Sequence, residues 1–244
     1  MRVVVITPTY NEAENVAQWV QRARAALPQA TLIVVDDSSP DGTAAVAEAA
    51  CADAGDAKVV VRAQKDGLGN ADRHAFRLVM DEGYDLVLHL DADLSHDPAV
   101  LPQMVARLEA GADMVIGSRY APGGATEHWP LHRRLLSKWG NRYTAGMLGL
   151  KVSDVTAGFR GYTADAVRVI DPTATHADGY AFLTELTMRA TDAGLRIDEV
   201  PILFADRTYG TSKMSWRIIV ESMLLVTRWG VTRRLTALRA RRRG

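Results

Sequence analysis

The sequence predicts an α/β protein: a mostly parallel sheet flanked by helices, closed by an amphipathic C-terminal helix. Three observations predict it. Short apolar runs alternate with helix-like stretches over residues 3–117, the pattern of repeated right-handed strand–helix–strand crossovers. Polar clusters follow four of those runs, and parallel sheets bind ligands beyond the carboxyl ends of their strands. Two carboxylates one residue apart, in Asp91-Ala92-Asp93, stand where the fourth run ends. With 244 residues, 48% hydrophobic and 24% charged, the chain is long enough for one large α/β domain.

Residues 3–7 read as a buried strand, and Pro8-Thr9-Tyr10 as a turn. Asn11 with Glu14 three residues on resembles a capping box. A helix is therefore expected from Asn11 to about residue 27, with Val16, Trp19, Val20, Ala23 and Leu27 on one face. Residues 31–35 give the second strand, ending in Asp36-Asp37. Ser38-Ser39-Pro40-Asp41-Gly42 is a turn, after which Thr43 is placed to cap an Ala-rich helix. Residues 58–62 give the third strand, and Lys65-Asp66-Gly67-Leu68-Gly69-Asn70 a loop into a helix over 71–82. Residues 85–89 are the fourth strand. Asp97-Pro98 has the form of an N-cap followed by Pro at the first helical position, for a helix over 99–110. Residues 114–117 are the fifth strand.

Beyond Gly117 the alternation stops in the sequence. Residues 131–148 form a basic amphipathic segment, with Arg133, Arg134, Lys138 and Arg142 among Leu131, Leu135, Leu136, Trp139 and Leu148. Residues 154–160 read as a compact polar turn, and 182–193 as a helix whose Glu185 suits an Arg partner. Residues 197–204 read as a strand that Pro201 confines to a sheet edge. A basic loop over 206–213 precedes a last helix over 215–238. That helix is too apolar for a solvated one and is interrupted by Arg217, Glu221 and Arg228. It suits either packing on the domain or a membrane interface. No linker divides the chain, so the expected organisation is a catalytic domain over 1–214 and a helix with an Arg-rich tail over 215–244.

The charge is zero in total but unevenly placed. Six of the 29 basic residues lie in 232–244, where there is no acid, so the body is acidic. Such a tail suits an anionic membrane surface, and a nucleic-acid partner is not expected. The lone Cys51 forms no intrachain disulfide, and the N-terminus shows no charged-then-apolar leader. No run reaches the roughly 18 apolar residues of a membrane span. A peripheral protein on the cytoplasmic face of a membrane is the expectation.

The chemistry starts from Asp91 and Asp93. Two carboxylates that close repel, and a divalent cation relieves them; Mg²⁺ and Mn²⁺ prefer hard oxygen ligands and keep positions open for phosphate. The Gly67-Leu68-Gly69 loop is not a dinucleotide fingerprint, since it is incomplete and follows the third strand.

Three motifs resemble those of the family-2 glycosyltransferases: Ile6-Thr7-Pro8-Thr9-Tyr10-Asn11-Glu12, Val34-Val35-Asp36-Asp37-Ser38-Ser39-Pro40-Asp41-Gly42-Thr43 and Asp91-Ala92-Asp93-Leu94-Ser95-His96. Later stretches, Gly117-Ser118-Arg119-Tyr120, residues 154–160 and residues 207–213, resemble the dolichol- and polyprenol-phosphate mannosyltransferases within that family. The resemblance implies the GT-A fold, a Rossmann-like sheet. It implies a GDP-mannose donor, a polyprenyl monophosphate acceptor and Mg²⁺ or Mn²⁺. By the same resemblance, Pro8, Tyr10, Glu12, Val35 and Asp37 hold the guanosine, with Ala92, Arg207 and Lys213 also on the donor side. Asp91, Asp93 and Ser95 surround the metal, though Ser95 is short for a ligand. Arg119 meets phosphate, and Arg133, Arg134 and Ser137 meet the acceptor. His89 and His96 are expected in supporting roles. Anchoring is expected through the C-terminal helix or a membrane-protein partner.

Overall fold

The computed structural model describes residues 1–65, 67–177, 179–206 and 216–241. The five apolar runs form β1 (Val3–Thr9), β2 (Thr31–Asp36), β3 (Ala57–Val61), β4 (Leu86–His89) and β5 (Met114–Ser118). They are joined in turn by α1 (Val16–Ala26), α2 (Thr43–Ala54), α3 (Leu68–Met80) and α4 (Leu101–Glu109). Strands β3, β2, β1 and β4 lie side by side and parallel. Their residues alternate between two cores. Val4, Ile6, Ile33 and Val35 pack on one face, and Val5, Leu32 and Val34 pack with Trp19 and Val20 of α1 on the other. Both faces of β1, β2 and β4 are covered, which is why these three strands are mostly apolar; β3, at the sheet edge, is only half-buried.

The sheet does not end at β5. Strand β6 (Ala125–Thr126) and helix α5 (Leu131–Leu148) follow, and then β7 (Arg160–Thr163) inserts antiparallel between β4 and β5. Helix α6 (Ala164–Ile170) starts at once, capped by the Thr163 hydroxyl. Strand β7 is four residues long and carries an Arg and a Gly, so no apolar run announced it. After α7 (Tyr180–Asp192), β8 (Ile197–Pro201) pairs parallel with β5 and forms the sheet edge expected from Pro201. The single strand read over 197–204 is two: past Pro201 the chain leaves the sheet and β9 (Leu203–Phe204) pairs with β6.

The last helix, α8 (Trp216–Arg241), packs against α5 and α7. Val226 is buried in the same core as the sheet, and the Tyr143 and Thr227 hydroxyls are 2.6 Å apart. Its outward side carries Val220, Leu224, Val231 and Leu235 beside Glu221, Arg228 and Arg234. No described helix is long and apolar enough to cross a membrane.

Two helix starts differ from expectation. Helix α1 begins at Val16, not Asn11: Asn11 has φ +58°, and the Glu12 carbonyl accepts the Asn15 and Val16 amides. The expected capping box is therefore loop, which leaves the 10–15 segment beside the strand ends. The cap of α2 is left-handed Gly42, not Thr43. The Thr43 hydroxyl instead accepts the Glu12 amide at 2.9 Å and donates to Asp41 at 2.6 Å, tying the loops after β1 and β2 together. Asp97 caps as expected, accepting the Ala99 amide at 2.9 Å.

Candidate functional site

The parallel strands place Pro8 of β1 directly beside Val35 of β2. The adjacent Asp36-Asp37 pair then divides its work. Asp36 is fully buried and accepts from the Thr9 hydroxyl at 3.0 Å, the Ser39 amide at 2.8 Å and the Ser39 hydroxyl at 2.6 Å. Asp37 pairs with Arg62 at 2.6 Å, both largely shielded from solvent. The Lys65 ammonium lies 3.6 Å from the centre of the Tyr10 ring. Glu12 accepts from the Asn15 side chain at 2.8 Å. Pro8, Tyr10, Glu12, Val35 and Asp37, expected together from five separated positions, thus share one rim at the carboxyl ends of β1 and β2. Arg62 and Lys65 join them, and single cations at loop edges gave no signal for that.

One sheet position over, β4 delivers Asp91, Ala92 and Asp93. The chain turns at Leu94, which has φ +60°, and the Ser95 amide donates to Asp93 at 3.0 Å. A left-handed Leu is costly and marks a backbone held by its surroundings. Asp93, Ser95 and His96 are each about 2–3% exposed. One ligand atom each of Asp91, Asp93 and His96 lie within 4.8 Å of one another, with His96 Nδ1 4.0 Å from Asp91 Oδ2. The Ser95 hydroxyl and His96 Nδ1 have no hydrogen-bond partner among the described residues. Leaving each such atom unpaired costs roughly 1–3 kcal/mol. Two carboxylates beside two buried, unsatisfied lone-pair donors form a set that fits a divalent cation.

The two histidines part company here. His89 is a supporting group, as expected: Nε2 meets Asp72 at 2.9 Å and Nδ1 meets the Gly158 carbonyl at 3.0 Å. Burial opposes its charge, but the Asp72 charge and hydrogen bond, with Asp91 and the Gly158 carbonyl, raise its pKa. Burial instead pushes His96 down to about 4, against the Asp93 charge, so its imidazole is neutral at pH 7.

Gly158 closes the far side of the pair. A Cβ there would stand 3.2 Å from Asp91 Oδ2, so only glycine lets the 156–158 turn approach this closely without displacing the carboxylate. Arg160 holds that turn from beneath. Its fully buried guanidinium donates to the carbonyls of Ala157, Leu183 and Val155 at 2.7–2.8 Å and to the Thr187 hydroxyl at 3.0 Å.

Asp91, Asp93 and Arg119 line a cavity of about 690 Å³. Arg119 does not present an open fork: Nε and Nη2 each donate to the Asp154 carboxylate at 2.7 Å, and Nη2 reaches the Thr156 hydroxyl at 2.8 Å. Arg133 also lines the cavity, packed over Trp129 and bonded to Asp206 at 3.0 Å. Ser137 lines it and accepts from the Tyr120 hydroxyl at 2.7 Å. Arg134 is exposed on α5 and is not part of the lining. Arg207 and Lys213 lie outside the described residues. The same cavity is lined by the apolar Leu136 and Trp139 of α5 and Ile219, Met223 and Val226 of α8. Glu185 is structural, accepting the His176 and Ala177 amides at 3.1 Å and pairing with Arg189 at 2.7 Å.

Residues 4–170 match the model of glycosyl transferase family 2. The chain is 45% identical over 241 residues to an undecaprenyl-phosphate mannosyltransferase of Micrococcus luteus, covering 99% of both chains. It is 44% identical over 239 residues to a polyprenol monophosphomannose synthase of Mycolicibacterium smegmatis, covering 98% of this chain and 90% of that one. Among solved structures, glucosyl-3-phosphoglycerate synthase of Mycobacterium tuberculosis, with Mn²⁺, UDP-glucose and phosphoglyceric acid, superposes with a TM-score of 0.68. That match covers 93% of this chain and 79% of the other at 19% identity, which speaks for a shared GT-A fold alone.

Proposed function

The chain belongs to glycosyl transferase family 2, and from that premise we propose that it transfers mannose from GDP-mannose to a polyprenyl monophosphate, with inversion. One observation carries the reading beyond the family: a single cavity is lined both by the carboxylate pair and two arginines and by apolar side chains of α5 and α8. An acceptor with an anionic head and a hydrocarbon tail fits that lining, and a small soluble sugar does not use its apolar part.

The reaction asks little proton transfer of the protein. A phosphate monoester oxygen is already anionic near neutral pH. It attacks the anomeric carbon as the bond to GDP breaks; one C–O bond forms, one is lost, and GDP leaves with the electron pair. The residues must therefore orient two anions and offset their repulsion. The rim of Pro8, Tyr10, Glu12, Val35 and Asp37 takes the guanosine, with Ala92 beside the ribose-diphosphate path. Arg133 and Ser137 take the acceptor phosphate. Arg119, locked by Asp154, acts as a fixed cation in the cavity wall rather than as a free bidentate clamp. Asp91 and Asp93 would hold Mg²⁺ or Mn²⁺, whose charge would offset that of the leaving diphosphate. Arg207 and Lys213 remain proposed donor contacts.

A membrane surface supplies the acceptor. Leu131, Leu135, Leu136 and Trp139 are exposed on α5 between Arg134, Lys138 and Arg142, a composition suited to an anionic bilayer on the cytoplasmic side. A membrane-protein partner would add to this attachment.

The test supplies purified protein with labelled GDP-mannose or UDP-glucose, polyprenyl phosphate and Mg²⁺ or Mn²⁺, followed by organic extraction. Label in the lipid phase with GDP-mannose alone is the expected result. Label only with UDP-glucose overturns the donor, and none with either overturns lipid transfer. Asp93→Ala abolishes transfer; unchanged turnover would remove the metal from the reading.

A further inference from the structure

We propose that His96, through Nδ1, is the third protein ligand of the divalent cation, in the position that the motif alone gives to Ser95, and that it biases the site toward Mn²⁺ over Mg²⁺. The inference rests on the reading of Asp91 and Asp93 as a metal–diphosphate site.

Three observations carry it. His96 Nδ1 is buried, has no hydrogen-bond partner among the described residues, and lies with Asp91 and Asp93 in one cluster of potential ligand atoms. Its 4.0 Å separation from Asp91 Oδ2 is too long for a hydrogen bond. It suits two atoms on one ion: with bonds of about 2.1 Å, ligand pairs on an octahedral cation are about 3.0 Å apart when adjacent and about 4.2 Å apart when opposite. The ring is also held in place. It lies edge-on to Phe204 at 5.1 Å and tilted against Phe159 at 5.6 Å between centroids. An aromatic slot fixes an imidazole plane, whereas it gives a serine hydroxyl nothing.

Ser95 is the weaker candidate on chemical grounds. Its hydroxyl is neutral and short, and its amide is occupied by Asp93. The chain turns left-handed at Leu94 just before both residues, and of their two buried side chains it is that of His96 whose ligand atom falls in the cluster with Asp91 and Asp93. An imidazole nitrogen favours later first-row metals, while Mg²⁺ prefers an all-oxygen shell. The donor set therefore discriminates between two ions that a pair of aspartates alone would accept.

The experiment is pulsed electron paramagnetic resonance of Mn²⁺ on the full chain with GDP, using protein labelled with ¹⁵N-histidine so that guanine nitrogens are distinguished. The expected spectrum shows coupling to a histidine nitrogen. It persists in Ser95→Ala and in His132→Ala, the latter removing the other histidine lining the cavity. It is lost in His96→Gln, where Mn²⁺ affinity measured by titration falls about tenfold and Mg²⁺ affinity falls less. Should His96→Gln not fold, coupling retained in His132→Ala still supports His96, because both nitrogens of His89 are already bonded. Mn²⁺ that binds with GDP but shows no histidine coupling overturns the inference and leaves the metal–diphosphate reading standing. Coupling lost in His132→Ala and kept in His96→Gln also overturns it. No Mn²⁺ binding with GDP overturns both.

Discussion

Arg119 and Asp154 meet fork to fork in the cavity wall, with Nε and Nη2 each 2.7 Å from a carboxylate oxygen and the Arg119 amide donating to the same group at 3.0 Å. Asp154 is fully buried. Burial alone would raise its pKa; the Arg119 charge and hydrogen bonds overcome that and hold it below the usual carboxylate range. Removing one partner leaves the other charge buried and unpaired.

Asp154→Asn is therefore expected to destabilise the fold by about 3–5 kcal/mol at pH 7, as measured by urea denaturation. The pH dependence has a definite sign. A lowered folded-state pKa means the unfolded chain binds the proton first, so the pair's contribution is full above about pH 4 and is lost as pH falls through the folded value. The wild type should lose stability across that acid window more steeply than Asp154→Asn. Parallel curves would show that the carboxylate contributes nothing there.

Gly158→Ala tests the approach of the 156–158 turn to Asp91. The added Cβ would sit 3.2 Å from Asp91 Oδ2, so one of the two must give by a few tenths of an ångström. The Asp91 side chain is 39% exposed and moves at little cost, so stability should change by less than about 1 kcal/mol. Metal affinity should fall several-fold, because the displaced oxygen belongs to the proposed ligand set. Calorimetric titration of Mn²⁺ beside a denaturation curve separates the two effects.

On the donor side, Arg62 orients Asp37. Arg62→Ala removes a 2.6 Å charge-assisted bond from a carboxylate at the proposed guanosine rim. GDP affinity should fall roughly tenfold, since such bonds contribute about 1.5–3 kcal/mol and a tenfold change corresponds to about 1.4 kcal/mol. Unchanged GDP affinity would place the guanosine elsewhere.

The parallel half of the sheet was legible because β1, β2 and β4 are buried on both faces and read as apolar runs, and the candidate site residues follow those runs directly. Strand β7 was not legible, since Arg160-Gly161-Tyr162-Thr163 has neither an apolar run nor strict alternation. Its Arg is buried only because carbonyls from the 155–157 turn and from α7 converge on it, which no local pattern records. The same holds for Arg119: its sequence neighbours suggested a phosphate contact, but the carboxylate that occupies its fork lies 35 residues on. Helix α5 was legible from end to end because its periodicity is local. What α5 faces was not, since that depends on α8 packing beside it. The loop at Asn11 misled because Asn and Glu at capping spacing also serve a turn that leaves the amides after β1 facing the loop after β2.

The apolar lining of the cavity gives the last prediction. Trp139 is 57% exposed and stacks on Tyr143 at 5.5 Å, while the Tyr143 hydroxyl is tied to Thr227 of α8. Its outer face is therefore available while its inner face is packed on Tyr143. Trp139→Glu places a charge where a polyprenyl chain would lie. Burying one large apolar side chain against a partner is worth about 1.5–3 kcal/mol, so the KM for a long polyprenyl phosphate should rise at least about tenfold. GDP affinity should stay within about twofold, because the proposed donor rim is built on the loops after β1 and β2 whereas Trp139 lies on α5. Steady-state kinetics with lipid in detergent, run beside GDP titration, read the two independently. A matching loss of GDP affinity would mean that the substitution disturbs the whole site. An unchanged KM would mean that the hydrocarbon chain leaves the protein before it reaches α5.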